Sequence, residues 1–210
     1  LYFLENHDEQ RIASDFFCGS AMKAIPAAAM SLFFQKNPFM LYSGQEFGEK
    51  GMDKEGFSGK DGRTTIFDYW SVDTMCRADE GKLTEDERTL ADIYSKLMNF
   101  ARNDKIVTGL SYDLMYANAH SASFNPDRQY AFLRRSGRQL LVVVVNFDNL
   151  DRDILLNIPE YAFEYLKLSD GKDVMGEEIL TGESFAACLS SKQPLSIHVP
   201  KYGAAIIKIN

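Results

Sequence analysis

The chain has 210 residues, of which 45% are hydrophobic and 12% aromatic, so it can bury the core of one or two domains. Its formal net charge of −7 argues against nucleic acid or an anionic membrane surface as a partner. No apolar run approaches the roughly 18 residues of a membrane-spanning helix, so we predict no membrane span.

Cys18, Cys76 and Cys188 are odd in number and lie far apart along the chain. Their spacing matches neither a zinc site nor a disulfide framework, so we expect buried free thiols. Unpaired thiols slightly favour the cytoplasm, but the sequence does not otherwise establish a location.

The first distinctive feature is a short apolar strand that leads into an Asn-His-Asp triplet. Phe3 and Leu4 belong to the strand, and Asn6, His7 and Asp8 follow it. An imidazole and a carboxylate at the C-terminal end of a strand lie where barrel enzymes carry their catalytic groups. Taken alone, the triplet also fits a simple polar turn.

A second strand and polar loop follow about thirty residues later. Residues 37–42 are mostly apolar and open into a loop that carries Tyr42, Gly44 and Glu46. Between the two strands, residues 21–34 are apolar on nearly every face, which predicts a buried helix that begins or bends near Pro26. The order strand, helix, strand indicates a β/α repeat.

Together the two units resemble the end of the catalytic barrel of the α-amylase superfamily of glycoside hydrolases. In that family an Asn-His-Asp triplet follows the seventh barrel strand, and a Tyr-x-Gly-x-Glu segment follows the eighth. The resemblance implies that residues 1–104 are the C-terminal part of a (β/α)₈ barrel.

Most of such a barrel is not in this sequence. A complete barrel needs about 250 residues, and the chain begins at Leu1, inside the expected strand. The family's nucleophilic Asp, in a Gly-x-Arg-x-Asp context, and its acid/base Glu have no matching segment. We therefore interpret the chain as the C-terminal part of a longer enzyme, inactive alone, rather than as a naturally short protein.

The resemblance assigns catalytic roles to two residues of the triplet. Retaining glycosidases use a nucleophile and an acid/base, and enzymes of this family add a third carboxylate that stabilises the transition state. Asp8 matches that third carboxylate, and His7 matches a donor to a sugar hydroxyl. Asn6 is grouped with the substrate-binding residues, although we expect it to brace the loop more than to touch the sugar.

Residues 48–82 are punctuated by glycines and predict a long loop. Related enzymes carry there an Arg-led, Trp-ending segment that lines outer substrate subsites, and Arg63, Tyr69 and Trp70 match it. The two aromatic rings could stack on sugar faces or simply pack under the loop.

The loop after the second strand has a structural interpretation. Glu46 is expected to be a structural carboxylate paired with a nearby Arg. Tyr42 and Gly44 are expected to shape the loop, with Gly44 permitting a sharp turn.

The C-terminal half changes to the pattern of an antiparallel sheet. A capping box at Thr84 predicts a helix over residues 85–102. Thereafter a hairpin over residues 130–147 and apolar runs at 154–159, 195–200 and 204–209 predict a β-sandwich over residues 105–210, like the domain C that ends similar amylases. The fold class is therefore α+β, a barrel end followed by a sandwich.

The remaining histidines do not indicate a metal site. His120 lies in a polar stretch, and His198 alternates with apolar residues and should point outward from its sheet. Neither has companions at metal-ligand spacing. We predict no cofactor in this chain, although the resemblance leaves calcium open elsewhere in the full enzyme.

Two classes of function remain in competition. The resemblance implies an α-glucan or maltooligosaccharide substrate and a hydrolase or transglycosidase, between which the sequence does not decide. The alternative is a non-catalytic carbohydrate-binding or scaffold sandwich module. Unpaired barrel strands would also favour self-association through that segment.

Overall fold

The computed structural model describes residues 1–51, 61–67 and 72–210. Near the N-terminus, strand β1 (Tyr2–Phe3), helix α1 (Ile25–Phe33) and strand β2 (Phe39–Met40) follow one another. The two strands pair in parallel, with Tyr2 opposite Phe39 and Phe3 opposite Met40. The predicted strand–helix–strand repeat is therefore present.

Helix α1 begins at a point where its proline does not disrupt the helix. A 3₁₀ turn over Ala21–Ala24 precedes it, and Pro26 lies in the first turn of the α-helix. A proline there removes no intrahelical hydrogen bond, because the first N–H groups of a helix have no partner in the helix. Of the two predicted outcomes at Pro26, a start and a kink, the structure shows the start.

Two more helices follow, α2 (Asp73–Asp79) and α3 (Glu85–Asn103). Thr84 Oγ1 accepts from the Glu87 amide and Glu87 Oε2 accepts from the Thr84 amide, so the predicted capping box is confirmed. Helix α2 corrects the prediction of an uninterrupted loop over residues 48–82. It lacks a side-chain N-cap and is held by tertiary contacts, which explains why local sequence did not reveal it.

Residues 110–209 form two antiparallel sheets, as the sequence predicted. The larger has six strands in the order β3-β4-β5-β10-β7-β8, and β6 pairs with β9 in a second sheet. The strands are β3 (Leu110–Asp113), β4 (Gln129–Ser136), β5 (Gln139–Asn146), β6 (Arg152–Leu156), β7 (Lys172–Glu178), β8 (Ser184–Leu189), β9 (Leu195–Val199) and β10 (Gly203–Ile209), with short helices α4 (Met115–Asn118) and α5 (Glu160–Leu166) between them.

The sequence analysis missed β3, β7 and β8, and both short helices. β7 and β8 lie at one end of the large sheet and β3 at the other. Their side chains are mostly exposed or half-buried. Strands with so few buried positions lack the continuous apolar pattern that made β5 evident.

Two hydrophobic cores lie on opposite faces of the large sheet. Between the two sheets is the sandwich core, which includes Leu133, Val142, Val144, Ile154 and Ile197. The opposite face packs against α1 and α3 in a second core, here named the helix-facing core, which includes Phe33, Leu90, Leu97, Phe132, Leu141, Val143 and Ile206. Burial on both faces explains why β5 reads as an unbroken apolar run.

Helix α1 is therefore covered, with Ala28, Ala29 and Phe33 fully buried. Arg134 of β4 strengthens this junction, since its guanidinium donates to the carbonyls of Phe34 and Gly109, at 2.9 and 3.0 Å. The surface expected for self-association therefore excludes α1, and self-association itself stays a prediction.

All three cysteines are free, but the expectation that they are buried was wrong. Cys76 and Cys188 are exposed, and Cys18 is half-buried. Cys188 lies in the edge strand β8, where every second side chain faces solvent. A polarizable thiol therefore does not by itself indicate a core position.

Candidate active site

The Asn-His-Asp triplet forms a tight turn directly after β1. The Asn6 side-chain carbonyl accepts hydrogen bonds from the backbone amides of Asp8 and Glu9, both at 2.9 Å. His7 Nε2 lies 3.4 Å from Asp8 Oδ2, and the two side chains are 50% and 74% exposed. Asn6 thus holds the turn, while the imidazole and the carboxylate face outward.

A buried ion pair closes the base of this turn. Arg11 Nη1 donates to Glu5 Oε2 at 2.8 Å, and Glu5 Oε1 accepts from the Ile12 amide at 2.8 Å. Both side chains are almost fully buried. Burial raises the pKa of the Glu5 carboxyl, although the charge and hydrogen bond of Arg11 oppose that rise.

Arg11 also joins the turn to the two neighbouring loops. Its guanidinium donates to the Ser43 carbonyl at 2.8 Å and to Thr64 Oγ1 at 3.1 Å. It lies over the ring of Tyr42, 4.5 Å from the centroid, and the Tyr42 hydroxyl donates to the Thr64 carbonyl at 2.8 Å. One buried cation therefore fixes the relative positions of three chain segments.

Residues 61–67 lie alongside the triplet. The Arg11 amide donates to the Gly62 carbonyl at 2.6 Å, and Gln10 Nε2 donates to the Asp61 carbonyl at 3.0 Å. Gly62 has a φ of +83°, and a Cβ built on it would lie 2.1 Å from Ser14 Oγ. This close approach requires glycine at position 62.

Arg63 follows directly on the two residues that accept hydrogen bonds from Gln10 and Arg11. Its Nε donates to Asp61 Oδ2 at 2.7 Å. The hydrogen bond and charge of Asp61 raise the pKa of the Arg63 guanidinium, and the charges of Asp8 and Glu9 add to the rise. The structure therefore brings Arg63 into the electrostatic surroundings of Asp8. Tyr69 and Trp70, also predicted to contact substrate, lie outside the described residues.

The loop after β2 turns sharply at Gly44, whose φ is +87°. The Gln45 amide group donates to the buried Tyr94 hydroxyl of α3 at 2.9 Å. Glu46 does not pair with an arginine among the described residues, and its Oε2 is buried there without a hydrogen-bond partner. The carboxylate that does pair with a buried arginine is Glu5.

Glu49 is the second buried carboxylate of this region, with 4% of the residue exposed. It accepts from the Gly51 amide at 3.0 Å, and from the Thr74 amide at 3.2 Å and hydroxyl at 2.7 Å. Burial alone would raise the pKa of Glu49, but these hydrogen bonds and the charge of Arg11 lower it below the ordinary 4.5. Glu49 thereby anchors α2 to the loop after β2.

This shifted pKa predicts an acid-dependent loss of stability. A lowered folded-state pKa means that Glu49 stabilises the fold above its unfolded pKa, and that this stability is lost as the pH falls from about 4.5 through the folded value. The raised pKa of Glu5 has the opposite effect on how stability depends on pH. The contribution of Glu49 must therefore be measured as the difference in unfolding free energy between wild type and a Glu49 variant. We expect the unfolding free energy of wild type minus Glu49→Gln to decrease between pH 6 and about 3. A difference independent of pH would contradict this assignment.

Sequence reasoning found the triplet, Arg63 and the Gly44 turn but did not single out Glu5 and Arg11. Both residues flank the triplet in the sequence, where charged residues usually indicate a solvated turn. They lie six positions apart in the sequence, and they are among the most buried charged side chains of the described chain. Charged residues on both sides of a polar turn, next to an apolar strand, were the available signal.

Within the described residues, no group of three or more His, Cys, Asp or Glu side chains could hold a metal ion. His198 Nδ1 instead lies 2.8 Å from Asp153 Oδ1, and both side chains are exposed. No helix in the part of the chain that the structure describes is long and apolar enough to cross a membrane.

The fold and the site define a class of protein: a parallel β/α unit with a polar turn at a strand end, packed on a C-terminal antiparallel β domain. Residues 120–210 match the family described as alpha amylase, C-terminal all-beta domain. This match confirms the resemblance to the α-amylase superfamily that the sequence indicated.

Individual proteins to which the chain is similar are also alpha-amylases. The chain is 28% identical over 147 residues to an alpha-amylase, MalA, of Haloarcula japonica, which covers 70% of this chain and 18% of the relative. A maltogenic alpha-amylase, AmyB, from Thermotoga neapolitana matches 99% of this chain with a TM-score of 0.63 and 16% identity. AmyP, solved in complex with maltose, matches 98% with a TM-score of 0.63 and 17% identity.

The chain spans only part of these proteins. It covers 40% of the length of AmyB and 40% of AmyP. At these identities the two structures show a shared fold.

Proposed function

We propose that the chain is the C-terminal part of an α-glucan-active glycoside hydrolase with a retaining mechanism. The observation that carries the proposal is the Asn6–Asp8 turn. It lies at the end of a parallel strand, in a chain whose residues 120–210 match an amylase domain family. The maltose complex of AmyP supports a maltooligosaccharide as substrate class. In this proposal residues 1–104 complete a (β/α)₈ barrel and residues 105–210 form its domain C.

In this proposal Asp8 is the residue of this chain that stabilises the transition state. Its carboxylate lies on an exposed turn whose shape depends on the Asn6 side chain and the Glu5–Arg11 pair, not on Asp8 itself. A fixed carboxylate can stabilise the positive charge that develops on the sugar ring in the oxocarbenium-like transition state. The adjacent His7 donates to a hydroxyl of the same sugar, and Arg63 contributes to the surrounding charge.

The nucleophile and the acid/base are proposed to lie in a part of the enzyme outside this sequence. A transglycosidase would use the same two carboxyl groups and differ only in whether water or a sugar attacks the covalent intermediate. A non-catalytic binding module is disfavoured, because it has no need of an outward-facing His–Asp pair at a strand end.

The proposal predicts that the 210-residue chain alone releases no reducing sugar from soluble starch or maltooligosaccharides. The longer protein that contains it should release sugar under the same conditions, because only that protein supplies both reacting carboxyl groups. Turnover by the short chain that disappears in Asp8→Asn would show that the reacting groups lie within these residues. An inactive longer protein would support the binding-module alternative.

A further inference from the structure

A cluster of four tyrosines lies on the C-terminal β domain, outside the site already described. Tyr112 of β3 is at its centre. Its ring centroid lies 6.4 Å from that of Tyr116, 6.3 Å from that of Tyr161 and 5.8 Å from that of Tyr165. These four residues, here named the tyrosine platform, come from three separate elements: β3, α4 and α5.

The outer rings of the platform face solvent. Tyr116 is 61% exposed, Tyr161 63% and Tyr165 45%. Single exposed aromatic residues are ordinary on a protein surface, but a contiguous exposed group is typical of a binding surface. Tyr112 packs against the sandwich core, whereas the three outer tyrosines are not among the residues of that core.

The buried face of α5 anchors the platform to the sandwich core. Ala162, Phe163 and Leu166 of α5 are buried in the sandwich core, which leaves Tyr161 and Tyr165 on the outer face of the same helix. The hydroxyl oxygens of Tyr112 and Tyr116 lie 2.6 Å apart. Burial and this hydrogen bond raise the pKa of the Tyr112 phenol, so the group keeps its proton.

The chemistry of the platform matches a neutral sugar. A pyranose ring has apolar C–H faces that an aromatic ring can cover and hydroxyl groups at its edge. Each tyrosine supplies both an apolar face and a hydroxyl that donates or accepts a hydrogen bond. The exposed carboxylates of Glu160 and Glu164 on α5, with the net charge of −7, disfavour an anionic ligand.

The shape of the platform selects between kinds of glucan. The rings of Tyr116, Tyr161 and Tyr165 are tilted by 58°, 51° and 47° from that of Tyr112, so the surface is not flat. An α-linked glucan chain curves, and its successive rings change direction. A β-linked chain such as cellulose is flat and could lie against only one of these faces.

We propose that the tyrosine platform is a binding site for an α-glucan chain on the β domain. The choice of an α-linked sugar rests in part on the proposed function. Such a site would keep polymeric substrate attached to the protein through a surface that takes no part in bond cleavage.

Native electrophoresis of the 210-residue chain in gels containing amylopectin tests the proposal. Wild type should be retarded, and the double variant Tyr116→Ala/Tyr161→Ala should bind about tenfold more weakly, the effect of losing two aromatic contacts. Met175→Ala is the matched control, because Met175 is 64% exposed on β7 of the same domain. Gels containing hydroxyethylcellulose should retard none of these proteins.

A second measurement does not depend on variants. Titration of the wild-type chain with β-cyclodextrin should shift the aromatic NMR signals of the platform tyrosines and leave that of the buried Tyr94 unchanged. Equal retardation of wild type and double variant, or no retardation of wild type, would overturn the proposal.

Different experimental results would contradict the tyrosine platform and the proposed function. Asp8→Asn should leave retardation unchanged, and its loss in that variant alone would place binding at the Asn6–Asp8 turn and overturn the platform. If the longer protein proves inactive on starch while the platform still retards the chain, the proposed function fails and the binding site stands.

Discussion

Asp8→Asn in the longer enzyme should lower kcat by about 10²–10³ while leaving the fold nearly unchanged. The substitution removes a charge from the place where positive charge develops, but keeps the size and shape of the side chain. The turn itself should persist, since it is held by the Asn6 side chain, which accepts the Asp8 and Glu9 backbone amides. Steady-state kinetics on a maltooligosaccharide, with thermal unfolding as the check on folding, measure the effect.

Glu9→Gln is the matched control for this change. Glu9 is exposed in the same turn, and its backbone amide donates to the same Asn6 oxygen. Removing its charge should leave kcat close to wild type. His7→Ala should have a smaller effect than Asp8→Asn and should raise KM as well as lower kcat. Near-full activity of Asp8→Asn with native stability would show that Asp8 is only a turn residue.

Arg11→Met should destabilise the chain by about 3–5 kcal/mol, the usual result of leaving one member of a buried ion pair without its partner. The variant leaves the Glu5 carboxylate buried and removes the donors to Ser43 and Thr64. Urea unfolding of the 210-residue chain measures the loss. In the longer enzyme the same variant should lower kcat, because it releases the three segments that Arg11 holds together.

Two further variants separate the buried charge from other effects. Arg152→Met removes a surface arginine, 42% exposed and paired with Asp148, and should cost less than about 1 kcal/mol. Glu5→Leu with Arg11→Met removes both charges and should recover much of the lost stability. If Arg11→Met were no more damaging than Arg152→Met, the buried pair would not be what organises the turn.

The sequence predicted those parts of the fold that carry strong local signals. The capping box indicated helix α3, and two apolar runs around Gly137 indicated the β4–β5 hairpin. Helix α2 was missed because Thr74 is bound by Glu49, twenty-five residues earlier, and not by a local cap. Long-range hydrogen bonds of this kind leave no periodic pattern in the sequence.

The same distinction applies to the sites. The Asn6–Asp8 triplet was found because its three functional residues are adjacent in the sequence. The Glu5–Arg11 pair looked like part of a solvated turn, and only the structure shows that it is buried. The tyrosine platform was also not evident from the sequence, because Tyr112 and Tyr161 come together only through the packing of α5 beside β3. Residues assembled from distant segments require the fold before they can be recognised.

We propose that this chain completes a retaining α-glucan hydrolase. The most direct measurement is ¹H NMR of the anomeric protons of the first product that the longer enzyme releases from a maltooligosaccharide, recorded before mutarotation. Two successive displacements at the anomeric carbon predict that the product appears as the α-anomer. A product that appears first as the β-anomer, or no product at all, would contradict the account.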